Sequence, residues 1–277
     1  MSSLVVNTNL SAINAYNNLN VTDTNMSKAI SELSSGLQIQ TAADGPAAYV
    51  QSQALQSQAN GYQQAISNAQ DGVSLVQTAS GALNQISSIL QTMNQLAISS
   101  ANGATNDSTS LAANQQEFSA LQATIDQIAN TTSYGTTNIL NGTFTGQTLQ
   151  VGAFGETSNT ITFSISGAST GALGISTGAA SVGSAAAAFS AIALVQSAIS
   201  TVDSIEANVG AIQNELQAVA ANLTVGQQNL TAANSQLTDV NMAQEMTVFS
   251  TDQILMQTGT AMLSQAQQAP ALVEKLI

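Results

Sequence analysis

Arginine, histidine, cysteine and tryptophan are all missing from this sequence of 277 residues, and lysine occurs only at Lys28 and Lys275. Each absence excludes chemistry. Two lysines near opposite ends cannot form the basic stripe that neutralises phosphates, so nucleic-acid binding is not expected. Without histidine and cysteine, zinc, haem and iron–sulfur centres lose their usual ligands. Ser-His-Asp and Cys-His triads are impossible, as are disulfides. Aromatic residues make up 4% of the chain and charged residues 6%, against about 25% charged in an ordinary soluble domain. The net charge of -13 opposes attraction to anionic membrane surfaces. The carboxylates are too scattered to nominate an acid–base pair or a calcium cage. No catalytic, cofactor or metal site is expected, and the chain does not read as an enzyme.

What is present is a hydrophobic fraction of 44% in a background of Gln, Asn, Ser and Thr. That is too apolar for a disordered chain. Two prolines, Pro46 and Pro270, leave room for long helices. The first residues lack a basic region followed by a long apolar core, so no cleaved secretory signal is expected. No run of about 18 consecutive apolar residues suggests a membrane span.

Hydrophobic periodicity organises the rest. Val202, Ile205, Val209, Ile212, Leu216, Val219, Leu223, Gly226, Leu230, Ala233, Leu237 and Val240 alternate steps of three and four. This is a coiled-coil seam of roughly 57 Å. A second seam runs through Tyr62, Ile66, Ala69, Val73, Val76, Ser80, Leu83, Ile86, Leu90, Met93 and Ala97 and stops at Asn102-Gly103. A third helix is expected over 111–129, with Phe118, Leu121, Ile125 and Ile128 on one face. Met26, Ile30, Leu33 and Leu37 form a short seam before the turn Asp44-Gly45-Pro46, and 249–266 reads as a last helix. Between the helical halves, 148–151 and 160–165 alternate as strands of a β-hairpin. The stretch 178–188 reads as a connector or frayed helix start. The fold class is therefore mainly α, a long antiparallel coiled coil or helical bundle built from both chain halves, with a small β-hairpin in the middle.

The seams need partners, so the chain should fold back and lay its termini side by side. Two helices there would bury little. Leu4, Val5, Val6, Leu10, Ile13, Leu255, Met262, Leu272, Leu276 and Ile277 then lack an internal core, which predicts burial against other copies of the chain.

At the residue level the sequence resembles bacterial flagellins. Asn7-Thr8-Asn9-Leu10-Ser11-Ala12 is similar to the family's opening. Leu33-Ser34-Ser35-Gly36-Leu37-Gln38-Ile39 with Ala42-Ala43-Asp44 resembles its "LSSGLRI…AAD" stretch. Residues 90–97 resemble "LQRMRELA", and 253–263 with Gln265-Ala266 resemble "QILQQAGTAMLAQA". The resemblance implies a structural subunit polymerising into an extracellular flagellar filament, a propeller for swimming, in a minimal form without large outer domains. It implies an inner filament domain from 1–44 and 235–277, a helical-bundle domain from 45–142 and 181–234, and the hairpin with its connector at 143–180. The assembly interface would be Leu4, Val5, Leu10, Ile13, Leu33, Leu37, Ile254, Leu255, Met262, Leu263, Leu276 and Ile277. The coiled-coil core would be Ile66, Val73, Leu83, Leu90, Val202, Val209, Leu216, Leu223, Leu230 and Leu237.

Other copies of the chain, an export chaperone, a filament cap and hook-associated proteins are the implied partners, without membrane insertion. Export as an unfolded chain suits the lack of cysteine. Exposed Ser and Thr, including Thr157, Ser158, Thr160 and 166–177, are candidate O-glycan positions. The Asn-x-Ser/Thr triplets, those at Asn20, Asn25, Asn106, Asn130, Asn141, Asn222 and Asn229 among them, follow from composition alone. Gln38 stands where the family commonly has arginine. In the patch Leu90, Gln91, Thr92, Gln95 and Leu96, which some flagellins present to an innate-immune receptor, Thr92 and Gln95 replace the family's ionic residues, so receptor signalling should be weak. Alternatives are a hook–filament junction protein and a secreted helical adhesin. Seam flanks such as Gln213, Asn214 and Gln217 carry amides in place of charges, so assembly should depend little on pH or salt, as suits an acidic or ion-hostile medium.

Overall fold

The computed structural model describes residues 8–274, with side chains for 8–268. Five helices carry most of it: α1 (Leu10–Ser35), α2 (Pro46–Ala101), α3 (Ser108–Thr131), α4 (Ala185–Thr238) and α5 (Met242–Glu274). Between α3 and α4 lie two antiparallel strand pairs. β1 (Ser133–Tyr134) pairs with β2 (Thr137–Asn138), and β3 (Gln147–Gln150) pairs with β4 (Thr160–Phe163). The chain divides into two compact units. Unit 1 comprises Met1–Ser57 and Asn229–Ile277, and unit 2 comprises Gln58–Gln228.

Local chemistry sets the helix ends. Asn9 caps α1 through its Oδ1, which accepts from the Ala12 amide at 3.1 Å. Gly36 ends α1 in the left-handed conformation, φ 75°, which glycine adopts without a Cβ penalty. Pro46 is the first residue of α2, where its missing N–H costs nothing and its fixed φ suits the helix. Asp107 caps α3, accepting from the Ser110 amide at 2.7 Å.

In unit 2, α2 and α4 are antiparallel neighbours. Tyr62 lies against Gly226, Leu216 against Gly72, and Ala185 against Gly103, so the pairing advances along one helix as it retreats along the other. The core between them and α3 contains Leu83, Ile86, Leu90, Met93, Phe118, Ile125, Val195, Val202, Val209 and Leu216, all buried. Ile66 is buried as well, and Val73 and Leu223 are half-buried. Gly226, the one seam position without a side chain, is where the Tyr62 ring enters. A Cβ there would stand 2.8 Å from Tyr62 Cε2.

Several expectations need correction. The C-terminal seam does not reach Val240, because α4 ends at Thr238. It starts earlier than expected: Ala188, Ala191, Val195 and Ala198 are buried in the same three-four rhythm. The stretch 178–188 holds both the connector and the helix start expected of it, since α4 begins at Ala185. Leu37 lies beyond the end of α1 and bridges Asp239 as an isolated antiparallel pair. The hairpin is shorter than the alternation suggested, with Leu149 opposite Ile161 and Gln147 opposite Phe163. Its loop folds a 3-10 turn at Thr157–Asn159, and the β1–β2 pair was not anticipated. Helix α4 is apolar and long enough to cross a membrane by length and composition, with mean hydropathy 1.7 over its best window. Its apolar residues Ala188, Ala191, Val195, Ala198 and Val202 are taken up by the unit 2 core.

The stretch 164–184 has little regular structure, yet Ile165, Ala168, Leu173, Ile175, Ala180 and Val182 are buried. Polar side chains of α3 satisfy its backbone. Gln115 Oε1 accepts from the Val182 amide at 2.6 Å. Gln122 Nε2 donates to the Ile175 carbonyl at 2.7 Å. The Asp126 carboxylate accepts from the Thr170 amide and hydroxyl, at 2.8 and 2.9 Å through Oδ1. Thr170 is buried as well, so of the stretch 166–177 it is the threonine that presents no hydroxyl for a glycan.

Candidate assembly interface

Unit 1 brings the two terminal helices together. The Asn9 amide Nδ2 donates to the Ala266 carbonyl at 2.7 Å, tying the start of α1 to the far part of α5. Gly259 faces Leu19, and an added Cβ would meet Leu19 Cδ1 at 3.1 Å, so the missing side chain admits a close approach. At the other end the segments after α1 and α4 zip together. Gln38 N–H donates to Thr238 O at 2.7 Å, and Val240 N–H donates to Gly36 O at 3.0 Å. Asn241 then starts α5, its Oδ1 accepting from the Gln244 amide at 3.3 Å.

The Asp44-Gly45-Pro46 turn is a helix junction. Asp44 Oδ2 accepts from the Thr41 amide and hydroxyl, both at 2.9 Å, and from the Gln40 amide at 3.2 Å. These bonds, led by the Thr41 amide, hold its carboxyl below the ordinary value, with a smaller pull from Lys28. Lys28 pairs with Glu32 one turn along α1, at 3.5 Å.

What distinguishes unit 1 is where its apolar surface lies. Among its described residues the one buried hydrophobic residue is Ala29. The others buried there are polar: Glu32, Ser52, Thr238 and Asp252. The large apolar side chains face outward. Leu10 is 67% exposed, Met262 64% and Ile254 61%, and Ile13, Tyr16, Val21, Ile30, Met242, Met246, Val248 and Leu255 are exposed too. Leu33, Leu37 and Leu263 are half-buried. Leu4, Val5, Leu276 and Ile277 lie outside the described residues. Fully burying one such side chain contributes about 1.5–3 kcal/mol, so a second surface against this one would gain many times that. Tyr16, Val21 and Met246 were missed from the sequence, because outside a regular seam an apolar residue carries no sign of which way it faces.

The other proposed sites are placed as follows. Leu90 is buried in the unit 2 core, Leu96 is half-buried, and Gln91, Thr92 and Gln95 are exposed on α2. Leu230 and Leu237 are half-buried on the last turns of α4. Thr157 and Ser158 are exposed at the hairpin loop and Thr160 is half-buried. No group of three or more metal-binding side chains occurs among the described residues.

Two family descriptions match the chain: the bacterial flagellin N-terminal helical region over residues 6–145, and the bacterial flagellin C-terminal helical region over residues 192–277. A flagellin of Halalkalibacterium halodurans is 37% identical over 274 residues, 99% of this chain and 100% of its own length. A flagellin of Clostridium tyrobutyricum is 48% identical over 143 residues, 52% of this chain and 38% of that protein. Flagellin B of Vibrio cholerae is 45% identical over 148 residues, 53% of this chain and 39% of that protein. The chain thus spans under half the length of these last two relatives. The crystal structure of Bacillus cereus flagellin is similar with a TM-score of 0.50 at 30% identity, covering 61% of this chain and 94% of that one. With both terminal helical regions matched and one relative aligned from end to end, the chain belongs to the bacterial flagellins, a family of structural filament subunits and not of enzymes.

Proposed function

We propose that this chain polymerises through unit 1 into an extracellular flagellar filament that works as a swimming propeller. The observation that carries the reading is the outward-facing apolar surface of α1 and α5 in a unit that buries Ala29 as its one described hydrophobic residue. Such a surface is a liability in a free monomer and a driving force in a polymer. Contacts between unlike faces of successive copies do not close on themselves and extend into a helical tube.

Within this reading, 1–44 and 235–277 form the inner filament domain. Residues 45–142 and 181–234 form the bundle, and 143–180 form the hairpin and connector. Ile66, Val73, Leu83, Leu90, Val202, Val209, Leu216, Leu223, Leu230 and Leu237 act as the coiled-coil core. An export chaperone covers the terminal helices before assembly, and a filament cap and hook-associated proteins meet them afterwards. O-glycans, if attached, sit on exposed residues such as Thr157 and Ser158. The chain is exported with its first residues uncleaved, which mass spectrometry of filament subunits tests. Thr92 and Gln95 offer no charge to the innate-immune receptor, so purified monomer should signal weakly on receptor-bearing cells. The amide-rich seam flanks suit an acidic or ion-hostile medium, which persistence of filaments at about pH 4, the ordinary carboxylate range, tests.

The deciding experiment is electron microscopy of purified protein together with variants lacking 1–20 or 258–277. The intact chain should form long filaments, and both truncations should leave unit 2 folded yet unable to polymerise. Normal filaments from either truncation would overturn the assignment of assembly to the terminal helices.

A further inference from the structure

One carboxylate in unit 1 has no local explanation. Asp252 is 8% exposed on α5, and its Oδ2 lacks a hydrogen-bond partner among the described residues. A carboxylate withdrawn from water without a donor is costly, so native proteins rarely leave one unpaired. Asp252 lines a groove of about 330 Å³ with Gln244, Thr247, Val248 and Thr251. The five lie three, four, seven and eight residues apart on one face of α5. Val248 and the threonine methyls give an apolar wall, and Asp252 is the one charge. That combination suits a long side chain with an aliphatic stem and a cationic head.

The chain offers two such side chains. Lys28 is already bound on α1 to Glu32, which is itself buried and needs that partner. Lys275 remains. Glu274 ends the described helix about 33 Å along α5 from Asp252 at 1.5 Å per residue, so the contact is drawn between copies. We propose that Lys275 of one copy enters the groove of a second copy and pairs with Asp252, its stem lying along Val248. This contact rests on the filament reading and adds one salt-sensitive electrostatic register to an interface otherwise held by apolar burial and amide contacts that salt leaves alone.

The test is the critical concentration for polymerisation of Asp252→Asn, Lys275→Gln, their combination, and the exchanged pair Asp252→Lys with Lys275→Asp. Each neutralised variant should need roughly tenfold or more protein to polymerise. The combination should be no worse than either single change, and the exchange should recover much of the loss. A Lys275→Gln chain that polymerises like wild type, or effects that simply add, would overturn the pair.

Misfolding of a variant is bypassed by a second measurement on the unaltered protein. Zero-length carbodiimide cross-linking of filaments mixed from isotopically distinct copies should yield a peptide joining 252 of one copy to 275 of another. Its absence overturns the pair. Failure of the unaltered chain to polymerise at all would instead overturn the filament reading on which the pair depends.

Discussion

Individual glycines on α2 behave in opposite ways, and the difference comes from what each faces. A Cβ at Gly81 would meet open space, whereas one at Gly61 would stand 2.6 Å from Ala153 Cβ and 3.0 Å from its Cα. Gly81→Ala should stabilise by up to about 1 kcal/mol through helix propensity. Gly61→Ala should destabilise by about 1–3 kcal/mol, because backbone near the hairpin has to move. Urea unfolding of the two variants checks both signs. Two carboxylates set the acid limit of the turns. Asp44 is held below its ordinary value chiefly by the Thr41 amide, and Asp107 chiefly by the Ser110 amide. Each therefore binds its proton less readily folded than unfolded. Their stabilisation is complete above the unfolded value of about 4 and is lost as pH falls through the lower folded value. Unfolding measured from about pH 5 to 2 should show stability falling with acid, and Asp44→Asn or Asp107→Asn should flatten that slope.

At the scale of elements, the long helices were legible and the segment lying on them was not. The seam on α2 from Ile66 to Ala97 is buried or half-buried at every step, because a three-four rhythm of apolar residues leaves one way to hide them. The stretch 164–184 carries no periodicity. Its burial depends on Gln115, Gln122 and Asp126, spaced along one side of α3 and reaching its amides, carbonyls and a threonine hydroxyl. A glutamine in a helix reads from sequence as solvent-facing, and only the partner segment shows otherwise. Gln122→Ala should leave the Ile175 and Ala180 carbonyls, its two acceptors, short of a donor inside the core. The expected cost is about 1–3 kcal/mol, visible as a lower urea midpoint with an unchanged slope.

At the scale of the molecule, the two units should respond to mutation independently in the monomer. Leu255→Ser combined with Met262→Ser removes two exposed apolar groups from α5 while touching nothing in the unit 2 core. The melting transition of unit 2 should stay where it is, and filament formation should be lost or need far more protein. Sedimentation and calorimetry on the same sample check this. A shifted unit 2 transition with intact filaments would mean that the exposed surface of α5 serves folding and not assembly.

The sequence by itself determined the long helices and the family. Periodicity, caps and missing residue types act locally, and they need no knowledge of what a helix meets. It also excluded disulfides and any triad that needs histidine or cysteine, since absent side chains cannot be supplied by folding. Only the tertiary structure decided direction. It placed Gln122 inward and Tyr16 outward, gave Gly226 a tyrosine to receive, and left Asp252 buried without a donor among the described residues. The reason is physical: an amphipathic pattern says that one face will be covered, while what covers it depends on segments far away in the chain, or in another copy of it.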